Sequence, residues 1–161
     1  MVDDARDVVR ARVYQDTDRQ AVERFSCAQL GNKAAEAAER VIRSAPEHLA
    51  EFGVWCWIVV AFDDSGIVGV IVFGLESEDD PAVTIFSLGV QLARQHQGIG
   101  TYLKRLILGV VAGMEGWPNS VISQVHRTNY RMIGLNKKLG VVSERDPEDG
   151  EFLITAILVE E

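Results

Sequence analysis

The chain is poor in cysteine, in positive charge and in long apolar runs, and each shortage excludes a class of protein. Its two cysteines, Cys27 and Cys56, have no metal-ligand spacing and cannot build a disulfide framework, so we expect both to be reduced and structural. The 16 Lys and Arg residues face 24 Asp and Glu, for a net charge of -8. Nucleic acid is therefore an unfavourable partner, because that affinity comes mainly from basic side chains that displace phosphate counterions.

No membrane or secretion segment is visible either. The apolar run from Val54 to Phe62 is too short to span a bilayer, and the start Met1-Val2-Asp3-Asp4 lacks the basic and apolar regions of a secretion signal. A chain of 161 residues, 47% hydrophobic and 25% charged, fits one domain with its own core. We expect a single cytoplasmic domain over residues 1–161, with no membrane partner and no metal.

Apolar periodicity and turn residues predict alternating strands and helices. The predicted strands cover residues 8–14, 54–62, 67–75, 82–90, 120–126, 141–144 and 151–159. The predicted helices cover residues 16–25, 33–43, 98–113 and 129–139, and Pro46 is expected to close the second of them. Strands 82–90 and 120–126 should be parallel neighbours, because a strand, helix, strand crossover normally places its two strands that way.

The most informative segment joins strand 82–90 to helix 98–113 through a turn with Gly98 and Gly100. The first turn of a helix has backbone N–H groups without acceptors, and glycine keeps side chains out of an anion's way, so this turn suits a diphosphate. The alternative is that both glycines only permit a tight turn. A dinucleotide fingerprint is excluded by Leu103 at its third glycine position, and a Walker loop by the absence of Gly-Lys-Ser/Thr.

Two segments carry a family resemblance. Val90, Gln95, Gly98 and Gly100 have the spacing of the Arg/Gln-x-x-Gly-x-Gly/Ala motif, and residues 129–141 carry Asn129, a helical apolar stripe and a Leu-Gly-Val ending. Both resemble the acyl-CoA motifs of GCN5-related N-acetyltransferases (GNAT), in the same order. The resemblance implies a single α/β (α+β) domain with a mixed, mainly antiparallel sheet of six to seven strands, about four helices and splayed central strands.

The resemblance also implies acetyl-CoA (coenzyme A) as a co-substrate, with its pantetheine arm between the splayed strands. The cofactor residues that it implies are Leu88, Val90, Gln95, His96, Gln97, Gly98, Ile99, Gly100, Thr101 and Asn129. Basic residues, Lys104 among them, cluster near this segment. We expect most of them to cover solvated helix faces and one or two to meet a CoA phosphate.

The catalytic residues are less clear, because the chain departs from the family there. The resemblance places Asn136 where the family usually has a tyrosine acid, and an amide can donate a hydrogen bond to a thiolate but cannot deliver a proton as a phenol does. The backbone N–H of Leu88 or a neighbour is the expected donor to the carbonyl oxygen. His126, at the end of strand 120–126, is the best candidate base; a water relay that ends on Ser87 or a backbone carbonyl is the alternative.

The reaction implied is direct attack of a small-molecule or peptide amine on the thioester. Deprotonating a lysine-like amine at pH 7 costs roughly 4.6 kcal/mol, against about 1.4 kcal/mol for an α-amine, so weak base machinery favours an α-amine or another low-pKa amine. Two other functions stay open: a CoA-binding regulatory or interaction module without catalysis, suggested by Asn136, and a toxin that acetylates aminoacyl-tRNA. A homodimer is also open.

Overall fold

The computed structural model describes residues 8–52, 56–77, 79–126, 130–139, 142–145 and 152–158. Within them the strands are β1 (Arg10–Val13), β2 (Cys56–Asp63), β3 (Gly66–Gly74), β4 (Val83–Val90), β5 (Ser120–His126), β6 (Val142–Arg145) and β7 (Phe152–Leu158). The helices are α1 (Arg19–Glu23), α2 (Lys33–Phe52), α3 (Ile99–Ala112) and α4 (Tyr130–Lys138). The predicted elements are confirmed, with ends that shift by a few residues except in the first two helices.

The described strands form one seven-stranded sheet in the order β1-β2-β3-β4-β5-β7-β6. Every neighbouring pair is antiparallel except β4 and β5, which are parallel. The predicted mixed, mainly antiparallel sheet is therefore confirmed, and so is the parallel pairing of the two strands that flank α3. That pairing is the consequence of a helical crossover between them.

The pairing of β4 with β5 stops early. Backbone partners run only from Val83 opposite Val121 to Ile85 opposite Ser123. Both strands continue beyond this point, β4 to Val90 and β5 to His126, without further pairing to each other. The predicted splay of the central strands is confirmed, and it leaves the second half of β4 with one open edge.

Each face of the sheet packs against its own helix. On one face, α3 contributes Leu103 and Ile107, which are 0% exposed, to a core with Phe73 of β3. On the other, α2 contributes Ile42, also 0% exposed, to a core with Val60 and Val70 of the central strands. These two cores fix the helices on which the site depends.

The prediction that Pro46 closes the second helix is wrong. Residues 33–52 form one helix with Pro46 inside it. An internal proline removes a helical hydrogen bond and costs about 3 kcal/mol. The helix continues because its apolar face does: Ala45 is buried and Leu49 packs against the same core as Ile42. Burial of this face outweighs the local penalty.

The predicted helix 16–25 is divided in two, a 3-10 turn at Asp16–Asp18 and then α1. Asp18 is 5% exposed and accepts hydrogen bonds from both terminal nitrogens of Arg12 on β1 and from the backbone N–H of Gln15. The Arg12 hydrogen bonds hold the pKa of the Asp18 carboxyl below its ordinary value of 3.8.

None of the described helices is long and apolar enough to cross a membrane.

Asp18→Asn should destabilise the fold. A depressed carboxyl pKa contributes stability above the ordinary value, and that contribution is lost as pH falls through the folded value. We expect the free energy of unfolding of the variant to be roughly 1 to 3 kcal/mol lower than that of the wild type at pH 7. The difference should become smaller below about pH 4, and urea unfolding at several pH values measures it. Asp16→Asn, at an exposed position in the same turn, is the control. An equal loss at pH 7 and pH 3 would contradict the assignment.

Candidate functional site

A cavity of about 590 Å³ lies along the open edge of β4. Its walls come from β4, the loop after it, the first turn of α3, the N-terminal half of α2 with its preceding loop, and α4. The predicted cofactor residues that line it are Leu88, Val90, Gln95, His96, Gly98, Ile99, Gly100 and Thr101. The structure thus brings together eight of the ten predicted positions. Gln97 is outside the lining, and Asn129 lies outside the described residues.

The turn before α3 holds two residues in the left-handed region. Gly98 has φ of 83° and His96 has φ of 67°. A Cβ at Gly98 would have no atom within 4 Å, so the glycine is required there by its backbone conformation and not by crowding. The first helical hydrogen bond runs from the Tyr102 N–H to the Gly98 carbonyl. The N–H groups of the preceding first turn of α3 therefore have no intrahelical acceptor.

Gly100 is a glycine for a different reason. A Cβ there would lie 3.3 Å from Leu135 Cδ1 on α4, 3.7 Å from Val90 Cγ2 and 4.0 Å from Leu88 Cδ2. The missing side chain lets α4 approach α3 and β4 closely. The narrow contact of these three elements forms one end of the cavity wall.

The Gln95 side chain forms two hydrogen bonds at the end of β4. Its side-chain nitrogen donates to the Val90 carbonyl at 3.0 Å and to the Cys27 carbonyl at 3.1 Å. The first bond satisfies a carbonyl that has lost its strand partner, and the second ties the loop before α2 to the strand. The glutamine of the predicted motif therefore holds two walls of the cavity together.

The backbone of β4 points its free edge at the cavity. The Gln91 N–H donates to Val68 of β3 at 3.0 Å, so the N–H and C=O of Val90, one residue earlier, face the other side. The bond from Gln95 to the Val90 carbonyl agrees with this. Leu88, two residues before Val90, shares its direction. The Leu88 N–H thus lies on the edge that β5 has left.

An ion pair between the lining residue Arg94 and the end of β2 anchors the loop after β4. A terminal nitrogen of Arg94 pairs with Asp63 at the end of β2, and Arg94 Nε donates to Gln97 Oε1 at 3.0 Å. Hydrogen bonds from Ser65 and then from Arg94 lower the pKa of Asp63 to about 2, so the carboxylate stays ionised at any physiological pH. Asp63 was not predicted as a site residue.

Polar groups next to α2 are already engaged. Ser87 Oγ donates to the Ala38 carbonyl at 2.9 Å, and the Asn32 side chain accepts from the Ala35 N–H at 3.1 Å, which caps α2. Burial raises the pKa of the Cys27 thiol to about 11. A thiol with that pKa is a poor nucleophile at neutral pH. The expected structural role of Cys27 agrees with these observations.

Close packing fixes the distance between α2 and β4. A Cβ on Gly89 would lie 2.6 Å from Ile42 Cδ1 and 2.9 Å from Cys27 Sγ. Contacts that short would force the Ile42 and Cys27 side chains to move, so glycine favours the observed close approach of α2 to the strand.

The three predicted catalytic residues, Leu88, His126 and Asn136, differ in their position relative to the cavity. Leu88 lines the cavity. His126 ends β5 three residues past Ser123, where the pairing with β4 stops, and its backbone pairs with Phe152 of β7. Asn136 is 0% exposed, is outside the lining, and accepts a hydrogen bond from Lys104.

Lys104 departs from the expectation of a solvated basic cluster. It is 3% exposed on α3, and burial lowers its pKa to about 8. Its spacing of four residues after Gly100, on the face that meets α4, was the only signal in the sequence. Among the described residues, no group of three or more His, Cys, Asp or Glu side chains is arranged to hold a metal ion.

Comparison with known proteins gives one family. The family model of the acetyltransferase (GNAT) domain matches residues 2–142. No curated protein sequence matches the chain.

Many solved structures share the fold, and three illustrate the range. A candidate GNAT acetyltransferase from Desulfovibrio desulfuricans has a TM-score of 0.74 at 15% identity, over 94% of this chain and 99% of that one. The ribosomal-protein-S18-alanine N-acetyltransferase of Escherichia coli has a TM-score of 0.65 at 15% identity, over 96% of each chain. Spermidine N-acetyltransferase from Vibrio cholerae, in complex with CoA and spermine, has a TM-score of 0.68 at 12% identity, over 94% of this chain and 95% of that one. At these identities the likeness shows the fold alone.

Asp63→Asn should loosen the loop after β4. Loss of a charge-assisted tether worth about 1 to 2 kcal/mol would speed amide exchange at Arg94 and Gln95 by about five- to thirtyfold. Hydrogen exchange read by mass spectrometry measures this. Asp64→Asn, one residue on and exposed, is the matched control and should leave the loop unchanged. Equal exchange in both variants would show that the ion pair does not anchor the loop.

Proposed function

Because the chain belongs to the GNAT family of acetyltransferases, we propose that it transfers an acetyl group from acetyl-CoA to a primary amine by direct attack. The observation that carries this proposal is the cavity on the open edge of β4, with the Gly98 turn and the first turn of α3 in its wall. A cytoplasmic location is part of the proposal.

The Gly98 turn is the proposed diphosphate site. The N–H groups of Ile99, Gly100 and Thr101 have no intrahelical acceptor, all three residues line the cavity, and Gly98 offers no side chain to obstruct an anion. His96 and Gln95 line the same end. The pantetheine arm would then run along β4 toward Leu88, where β5 has diverged.

The Leu88 N–H is the proposed donor to the carbonyl oxygen. The acceptor nitrogen bonds to the acyl carbon, the oxygen gains negative charge, and then the carbon–sulfur bond breaks and leaves its electron pair on sulfur. An N–H already aimed at the open edge stabilises that charge without reorganisation, and such a donor is worth about 2.7 to 4 kcal/mol in other enzymes. Its strand, held by β3 on the other side, keeps it in place.

The proton lost by the amine needs an acceptor, for which we propose His126. Its backbone position at the diverging end of β5 supports this role. The alternative relay through Ser87 is weaker, because the Ser87 hydroxyl already donates to the Ala38 carbonyl. A backbone carbonyl on the open edge remains the other end point for a water.

The acceptor that we propose has a low-pKa amine, an α-amine above all. The described lining residues include no carboxylate, Lys138 is cationic, and the charge of Arg94 is paired with Asp63 behind the wall. Such a cavity does not attract a polycation, and it offers nothing to offset the roughly 4.6 kcal/mol needed to deprotonate a lysine-like amine at pH 7. An α-amine needs only about 1.4 kcal/mol. The N-acetyltransferase from Escherichia coli, named for a protein alanine, is a structural precedent for a peptide acceptor.

Gly98→Glu should abolish acetyl-CoA binding, because it sets a carboxylate against the proposed diphosphate site. Titration calorimetry should show micromolar binding to the wild type and a loss of at least about a hundredfold in the variant, equivalent to about 2.7 kcal/mol. Gly116→Glu is the matched control: its φ of 82° imposes the same backbone strain, and it too has no atom within 4 Å of its Cβ position. No binding to the wild type would remove the proposal's basis.

An amine panel read by CoA thiol release identifies the acceptor. Peptide and amino-acid α-amines should react faster than lysine side chains and polyamines, and His126→Ala should lower kcat by about a hundredfold or more near pH 7. A full rate in that variant across pH would remove His126 as the base. Tight binding with no release on any amine would favour a non-catalytic CoA module, and release only with aminoacyl-tRNA would favour the toxin reading.

A further inference from the structure

Lys138 carries an unpaired positive charge in the described lining of the cavity. That lining contains two Lys or Arg side chains, Arg94 and Lys138, and Arg94 is paired with Asp63. Lys138 is exposed, and no carboxylate of the described residues forms an ion pair with it. Its ammonium is therefore available to an anion that enters the cavity.

The position of Lys138 on α4 places it in the middle of the face that borders the cavity. It follows Gly134 by four residues and Leu135 by three, and side chains at those spacings share one face of a helix. Both of those residues line the cavity. The adjacent Lys137 is exposed but is outside the lining, so only one of the two lysines borders the site.

The direction of α4 is set by the strands on either side of it. Because β5 is parallel to β4, its last residue, His126, lies at the same end of the sheet as the Gly98 turn, which follows β4. α4 begins four residues after His126, and after α4 the chain enters β6 at Val142. Val142 is level with Ile122, in the half of β5 that pairs with β4, since both pair with the same residue of β7. The last turn of α4 therefore lies further from the Gly98 turn than its first turn does.

Leu135 marks the level of the proposed donor to the carbonyl oxygen. Leu135 and Leu88 both pack around the position that a Gly100 Cβ would take, at 3.3 Å and 4.0 Å from it. Lys138 is three residues further along α4, about 4.5 Å at the usual rise of a helix. Lys138 is thus on the far side of the thioester from the proposed diphosphate site, where the reaction needs the acceptor amine.

We propose that Lys138 binds a carboxylate that the acceptor carries beside its amine. This inference rests on the proposed function, and it narrows the acceptor from an α-amine to an amine with a neighbouring carboxylate. Such an amine is either a free α-amino acid or the first residue of a peptide that begins with an acidic side chain. The carboxylate takes no part in bond making, and its contact with the ammonium holds the amine near the open edge of β4.

The charge distribution of the chain supports an acceptor of this kind. None of the 24 Asp and Glu residues is in the described lining, although the chain as a whole carries a net charge of -8. An acceptor carboxylate is therefore repelled by most of the surface but meets a cation without a competing acid in the cavity. A polyamine meets the reverse, because like charges repel it from Lys138 and no lining carboxylate attracts it.

The test uses two pairs of acceptors that differ by one carboxylate, with CoA thiol release as the readout. One pair is alanine and alaninamide, and the other is two dipeptide amides that begin with Asp or with Asn. A carboxylate favours the protonated form of a nearby amine, so amine chemistry alone favours the neutral member of each pair. We expect the wild type instead to prefer the carboxylate in one pair, by about tenfold or more in kcat/KM. The pair that shows this preference identifies the source of the carboxylate.

Variants of the two adjacent lysines assign the preference to one side chain. Lys138→Met should remove it by raising the KM for the acid, with kcat and the KM for acetyl-CoA within about twofold of the wild type, because a binding contact is lost. Lys138→Arg should keep most of it. Lys137→Met, at the exposed position outside the lining, is the matched control and should equal the wild type. Added salt should weaken the preference, since Lys138 is exposed.

The contrary results are distinguishable from one another. Equal rates within both pairs, or a preference that Lys138→Met leaves intact, would overturn the role of Lys138 while the proposed function stands. A higher KM for acetyl-CoA in Lys138→Met with an unchanged acceptor preference would place the lysine on a cofactor phosphate, which also overturns this inference. If the wild type does not bind CoA, or binds it and acetylates no amine, the proposed function itself fails.

Discussion

The early end of the pairing between β4 and β5 is the constraint on which the site depends. Three residue pairs hold the two strands together, from Val83 to Ile85, and then β4 continues with only β3 beside it. An unpaired strand edge inside a domain exposes polar backbone groups that need partners. The chain meets that need at Val90, whose carbonyl accepts a hydrogen bond from Gln95, and the Leu88 N–H lies on the edge that faces the cavity. The open edge of β4 is thus the surface on which the proposed cofactor site is built.

Much of this architecture could be predicted because it is written in local patterns. The spacing of apolar residues and glycines predicts the strand, glycine turn and helix from Ala82 to Gly113. Because a helix connects β4 to β5, the two strands are then expected to be parallel. The residues of the Gly98 turn were predictable for the same reason. Their proposed role rests on backbone geometry, which glycine spacing reveals directly.

What could not be predicted depends on contacts between distant parts of the chain. Asp63 and Arg94 are 31 residues apart, and Lys104 and Asn136 are 32 apart, so no periodicity links either pair. The continuation of α2 through Pro46 has the same origin, since a local rule predicted its end and packing against the sheet overrode it. In the site, the sequence therefore revealed the loop with its backbone groups and Gln95, but not the Asp63–Arg94 and Lys104–Asn136 contacts.

The contact of α2 with β4 limits how the cavity can change. Gly89 leaves no room for even a methyl group between the strand and Ile42, and Ser87 fastens the same strand to the Ala38 carbonyl. These two contacts hold α2 and β4 at a fixed distance from each other. Any widening of the cavity has to come from the opposite side or from the segment around Gln29 and Asn32 that leads into the helix. Directed evolution of the proposed acetyl transfer would do best to diversify that entry segment and leave the strand intact.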